Sequence, residues 1–199
     1  TNATGTGAGA WSAAIALDST GDVGSYTTLL TLDGNPAISY YDTTNTNLKL
    51  IRATTANGAA IGEWATPTVL DSAAGDLGKF ANMAMVNAQA AIAYQDATNG
   101  DLKYIRATDA AGSAWGTASV IDPGVQSGGV GRYSSQALVN GSPAIAYLDD
   151  TNNSIRYVRA NPLNNAWGSS IEVVTGTGES SGATSLWVVN GKPAISYMN

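Results

Sequence analysis

Trp11, Trp64, Trp115 and Trp167 stand 53, 51 and 52 residues apart, and other residues keep the same beat. Pro36-Ala37-Ile38-Ser39-Tyr40 returns as Ala90-Ala91-Ile92-Ala93-Tyr94, Pro143-Ala144-Ile145-Ala146-Tyr147 and Pro193-Ala194-Ile195-Ser196-Tyr197. A fixed period of this length means stacked supersecondary units, each too small to bury its own apolar face and each leaning on its neighbours. The chain therefore reads as one domain, 1–199, built of about four repeats: approximately 11–63, 64–114, 115–166 and an incomplete 167–199.

One period reads as four short strands, clearest in the second repeat: Thr68 to Leu70, Phe80 to Val86, Ala91 to Gln95 and Leu102 to Ala107. Between the second and third of these strands stand Asp33-Gly34, Asn87-Ala88, Asn140-Gly141 and Asn190-Gly191. Asp-Gly and Asn-Gly supply the positive φ values that a tight type I′ hairpin needs, so Asn87-Ala88 predicts a looser turn. The next hairpin carries Asp42-Thr-Thr-Asn45, Asp96-Ala-Thr-Asn99 and Asp149-Asp-Thr-Asn152, whose Asx side chains can cap backbone amides.

Alternation within the Ala-Ile-Ser-Tyr strand predicts how units meet. Ile38 and Tyr40 point to one face while Ala37 and Ser39 point to the other, and every copy keeps that split. Each sheet thus has a bulky and a small face, and identical sheets of this kind pack bulky onto small in a heterologous contact. Met83 and Met85 alternate with Ala84 and Val86, so that strand should be covered on both sides. Radially stacked four-stranded antiparallel blades, an all-β propeller, satisfy these demands better than a sandwich with wet outer faces. Trp187, on a strand, belongs to the core.

The series Trp, Asp-Ser-x-Gly-Asp-x-Gly, aromatic, Asn-Gly-x-Pro-Ala-Ile-Ser-Tyr, Asp-x-Thr-Asn and Leu-Lys-Tyr-Ile-Arg-Ala resembles the tandem blade repeats of large bacterial secreted or surface β-propeller proteins, along the whole chain. That resemblance implies the propeller fold and an extracellular setting; it implies no activity, because such blades host lectins, hydrolases and scaffolds alike.

Composition narrows the chemistry. With 9 Lys+Arg against 15 Asp+Glu the chain has no basic field for nucleic acid, and its apolar runs are too short to insert in a membrane. Cysteine and histidine are absent, which removes thiolate nucleophiles, imidazole bases, disulfides and the usual zinc or haem ligands. No cofactor is expected; calcium remains the one plausible metal, with Asp18, Asp22, Asp71 and Asp76 in the Asp-rich loops as candidate ligands.

Trp11, Trp64, Trp115 and Trp167 are the candidate ligand-binding residues. They recur once per blade in loops, where an indole can stack on a sugar ring or plug the gap between blades. Lys49/Arg52, Lys103/Arg106 and Arg156/Arg159 recur on one strand; they can pair with the Asp of their own hairpin or converge on an anionic ligand.

The chain has four copies of three strands and three of the fourth type, so in a closed ring Ile15 to Leu17 would join the last blade as its outer strand. The count favours a segment of a longer array, and an unfilled strand position invites a neighbouring molecule. No activated nucleophile or paired catalytic acid stands out. The expectation is therefore a non-enzymatic, extracellular or cell-surface structural or interaction module, partnered by itself or by glycan; the alternatives are a lectin using the loop tryptophans and a sialidase-like glycosidase.

Overall fold

In the computed structural model, which describes residues 12–124, 128–176 and 183–198, fourteen strands form four antiparallel sheets. The first blade runs β1 (Val23–Leu32), β2 (Asn35–Asp42), β3 (Asn47–Arg52) and β4 (Thr68–Asp71), hydrogen-bonded in that order. The second repeats it with β5 (Leu77–Val86), β6 (Gln89–Asp96), β7 (Asp101–Arg106) and β8 (Ser119–Asp122). The third has β9 (Val130–Val139), β10 (Ser142–Asp149), β11 (Ser154–Arg159) and β12 (Ile171–Thr175). The fourth, among the described residues, is the hairpin β13 (Thr184–Val189) and β14 (Lys192–Tyr197). The strand after each tryptophan thus closes the preceding sheet, so a blade is offset from the tryptophan-to-tryptophan repeat.

All four tight hairpins share one geometry. The central pairs have φ of 46° and 79° (Asp33, Gly34), 48° and 62° (Asn87, Ala88), 46° and 76° (Asn140, Gly141), and 50° and 74° (Asn190, Gly191). The looser turn expected at Asn87-Ala88 is not there: the pairing of β5 with β6 holds Ala88 left-handed, at the cost a Cβ carries in that region.

Blades nest bulky face onto small face. Met83, Ile92, Tyr94 and Ile105 of the second blade pack on Ala37, Leu48 and Leu50 of the first. Ile145, Tyr147 and Val158 of the third pack on Ala91, Ala93, Leu102 and Tyr104 of the second. Leu186 and Ile195 of the fourth pack on Ala144 and Ala146 of the third, with Tyr157 alongside. Ile92 and Ile145 are 0% exposed, and burying such a side chain stabilises by about 1.5–3 kcal/mol. Met83 is buried, but Met85 faces solvent, so the inner strand is covered on both sides only over part of its length.

A repeated polar clamp ties the first two joints and recurs at the open face of the first blade. Asp71, ending the outer strand of the first blade, accepts from Tyr94 Oη at 2.5 Å and Lys103 Nζ at 2.5 Å in the second. Asp122 likewise receives the Tyr147 hydroxyl and faces Arg156 Nε at 3.4 Å in the third. Asp18 receives Tyr40 Oη at 2.7 Å and Lys49 Nζ at 2.8 Å, and the same ammonium lies 3.2 Å from Asp42. Burial pushes Asp18 up, but the Lys49 and Tyr40 hydrogen bonds outweigh it and hold the carboxyl at about 2. Burial and the same kind of carboxylate partner push the Tyr40 and Tyr94 hydroxyls far above their ordinary value, so both stay neutral donors. Lys49 and Arg156 thus pair with the Asp42 and Asp149 of their own hairpins, Lys103 and Arg156 with the aspartate of the neighbouring outer strand, while Arg52 and Arg106 donate to the Leu32 and Val86 carbonyls.

The array is open. Three apolar clusters join consecutive blades, and among the described residues none joins the fourth to the first. Ile15–Leu17 forms no strand with the fourth blade; Ala16 is exposed, and Asp18 ties this segment to the first blade's bulky face. Trp187 is 72% exposed rather than core, because it points from the fourth blade to the side where the next blade would stand.

Candidate functional site

The first strands of the sheets lie side by side, and side chains stitch β5 to β9 and β9 to β13. Ser134 Oγ donates to the Phe80 carbonyl at 2.9 Å, Asn82 Oδ1 accepts from the Gln136 amide at 3.0 Å, and Thr184 Oγ1 donates to the Tyr133 carbonyl at 2.6 Å. Each of β1, β5 and β9 carries a bulge on the loop side of these contacts, where pairing shifts between Ser25 and Thr28, between Lys79 and Asn82, and between Ser135 and Arg132.

One aromatic sits in each bulge with a left-handed backbone: Tyr26 at φ 54°, Phe80 at 53° and Tyr133 at 49°. Bulky residues avoid that region, and such strain persists only where surroundings impose it, commonly at sites that aim a side chain. The result is a row across the axis. Phe80 lies 4.6 Å between centroids from both Tyr26 and Tyr133, and Tyr26 lies 6.1 Å from Tyr41. The rings are tilted, not coplanar, and Tyr26 is exposed while Phe80 and Tyr133 are half-buried.

Charged groups rim this row. The Arg132 guanidinium lies 5.2 Å from the Phe80 centroid and 5.6 Å from that of Tyr133, and it is paired with Asp150 at 2.6 Å. Lys79 lies 5.8 Å from the Tyr41 ring and is ion-paired with Asp76, which also accepts from Tyr41 Oη at 2.6 Å. A row of tilted aromatic faces bordered by two carboxylates, two cations and phenol hydroxyls offers stacking and directional hydrogen bonding together, the combination a polyhydroxylated ring requires.

The expected site residues fall elsewhere, with one exception. Trp11 lies outside the described residues. Trp64 and Trp115 are half-buried, and their indole N–H groups donate to the Gly58 and Gly112 carbonyls at 3.0 and 2.9 Å. Trp115 packs on the core between the first two blades, and Trp167 stands edge-on to Tyr104 of the preceding blade at 4.9 Å. Trp115 and Trp167 also wall equivalent grooves of about 250 and 300 Å³ between blades, beside Arg52 and Arg106 respectively. Of the acidic candidates, Asp18 and Asp71 each turn onto a lysine and a tyrosine, Asp22 is exposed, and Asp76 joins the axial rim. Among the described residues no three acidic side chains gather as a metal site. Sequence reasoning missed Tyr26, Phe80 and Tyr133. Their signal was present: each stands seven residues before the Asp or Asn of the tight hairpin, and the fourth copy has Ala183 there.

No protein-family model matches the sequence, and no curated protein sequence does. Solved structures do share its shape. An α-L-arabinofuranosidase from Podospora anserina in complex with cellotriose superposes with a TM-score of 0.55 at 13% identity, over 88% of this chain and 63% of its own. An α-L-arabinofuranosidase from Lactobacillus brevis gives 0.50 at 12% identity, over 86% and 63%. A GH62 hydrolase in complex with xylotriose gives 0.52 at 14% identity, over 78% and 52%.

The fold is an all-β propeller.

This chain spans between half and two thirds of the length of those proteins. The expectation of a non-enzymatic structural module is corrected by this comparison: these three solved structures of the same fold are two α-L-arabinofuranosidases and a hydrolase, and two of them were solved with oligosaccharides. Among the described residues no helix is long and apolar enough to cross a membrane.

Proposed function

We propose that this propeller acts on glycans as a glycoside hydrolase, taking an oligosaccharide across the axial row of Tyr26, Phe80 and Tyr133. The observation that carries the reading is the row itself: three aromatics held by bulges in left-handed backbone, with Asp76/Lys79 and Asp150/Arg132 at its rim. Sugar faces stack on the rings, while the rim groups meet the hydroxyls. Glycosidic bond cleavage calls for two carboxyl groups flanking the bond, one to protonate the leaving oxygen and one to attack or to activate water. Asp76 and Asp150 are the carboxylates positioned beside the row and are assigned those roles. The solved structures of this fold that hold cellotriose and xylotriose favour a β-linked plant-type oligosaccharide as the ligand class, and an extracellular or cell-surface location is where such polymers are met.

The test is titration calorimetry and sugar-release assays with xylo- and cello-oligosaccharides, plain and arabinose-substituted. Phe80→Ala should weaken binding about tenfold by removing the central stacking platform. Asp76→Asn and Asp150→Asn should leave binding in place and lower release by a hundredfold or more. A second reading has its own support, since Trp115 and Trp167 wall the equivalent inter-blade grooves. If Trp115→Ala abolishes binding and Phe80→Ala does not, the ligand belongs in those grooves. Absence of both binding and release across the series refutes the glycan reading.

A further inference from the structure

We propose that a second copy of this chain docks head to tail, the outgoing face of its fourth blade seated on the incoming face of the first. The inference stands apart from the glycan reading and rests on the joints inside the chain. At each internal joint the incoming inner strand presents one side chain that the preceding blade covers: Met83 is 2% exposed, Gln136 is buried and Leu186 is 2% exposed. Leu29 holds the equivalent position in the first blade and is 63% exposed.

The backbone tells the same story. Gly78 and Gly131 have φ of 109° and 89°, and a Cβ there would meet the Cα of Leu48 at 2.9 Å and of Leu102 at 3.0 Å in the preceding blade. Gly24, at φ 98°, has nothing within 4 Å; beside it opens a mainly apolar groove of about 160 Å³ walled by Val23, Thr27, Ile38 and Ile51, with Leu17 and the Asp18–Tyr40 pair along its edge. The first blade keeps both the glycine and the apolar side chain that a preceding sheet covers at the internal joints.

The complementary surface is on the same chain. Trp187 and Val189 of the fourth blade, 72% and 52% exposed, occupy the positions of Leu30 and Leu32, which pack into the first internal joint. Beside them Ala194 stands where Ala37, Ala91 and Ala144 receive incoming blades, and it is exposed. In blades one to three the Trp187 position holds Leu30, Ala84 and Ala137, and the fourth copy presents an indole there. Leu29 and Trp187 are therefore the two halves of one more joint of the kind formed three times within the chain. Because the contact is heterologous, each dimer keeps one free face of each type and association continues.

Sedimentation velocity on the full chain across a hundredfold concentration range tests this. The chain should grow from monomer past dimer as concentration rises. Leu29→Glu blocks the acceptor and Trp187→Glu the donor; both sites are exposed, so near-UV circular dichroism should show the folded state retained. Each variant alone should stay monomeric, with association at least tenfold weaker, while the two mixed should form dimers and nothing larger, since one intact donor then meets one intact acceptor. A wild-type chain monomeric throughout, variants that associate as before, or a mixture that stays monomeric would each overturn the proposal.

Discussion

The second and third blades and the first and fourth are built from the same repeat, yet their isoleucines have different fates. Ile92 and Ile145 are sealed, while Ile38 and Ile195 are half-exposed. Nothing within the strand separates them: each lies in a Pro/Ala-Ala-Ile-Ser/Ala-Tyr segment paired with the same register to its inner neighbour. The difference lies in what stands on the incoming side or how much of the sheet is built around it. In a repeat array, stability belongs to the joint rather than to the unit.

Cutting the isoleucine to alanine should break the likeness most sharply. Ile145→Ala opens a cavity in a closed joint and should cost about 2–5 kcal/mol in urea unfolding, whereas Ile38→Ala, beside an open groove, should cost about half as much or less. Equal losses at the two sites would mean the first blade is covered in solution.

Acid should act on the first two closed joints and on the open face alike, because all three carry the carboxylate clamp. The Asp18 carboxyl is held at about 2, below its ordinary 3.8, and Asp71 is lowered as well, with burial opposing and the Lys103 and Tyr94 hydrogen bonds prevailing. A carboxyl lowered on folding contributes stability that is complete above its unfolded value near 3.8 and lost as pH falls through its folded value. The urea midpoint should therefore be flat down to about pH 4 and fall from there towards pH 2. Asp18→Asn should flatten part of that decline; an unchanged acid limb would remove the clamp at the open face.

The smallest effect concerns the hairpins. Ala88 pays for a left-handed backbone that Gly34, Gly141 and Gly191 adopt freely, so Ala88→Gly should stabilise by about 0.5–1 kcal/mol, the αL penalty less the glycine's extra chain entropy. A loss of stability would show that the Ala88 methyl is held by contacts worth more than its strain.

Much of this architecture was legible in the sequence because period and side-chain alternation are set by single residues. Ile38 against Ala37 and its copies gave the two faces and the direction of nesting, and the Asp-Gly and Asn-Gly pairs gave the turns. What escaped depended on the assembled array. Trp187 reads as core on its strand, but no described element covers the face to which it points. Asn87-Ala88 reads as a poor I′ turn, but the long β5–β6 ladder imposes one. The loop tryptophans drew notice by their size and rhythm. Tyr26, Phe80 and Tyr133 keep the same rhythm, each two residues after Gly24, Gly78 or Gly131, yet only the bulges of the folded sheets turn them towards one another.

The nesting of bulky on small faces is tested most directly by one substitution made at two equivalent places: Ala144→Leu, where Ala144 is fully buried beneath the fourth blade, and Ala194→Leu, where the same strand position is open. In urea unfolding at a concentration low enough to keep the chain monomeric, Ala144→Leu should destabilise by about 1–3 kcal/mol through overpacking, and Ala194→Leu should stay within about 0.5 kcal/mol of the parent. Equal effects at the two alanines would contradict the account.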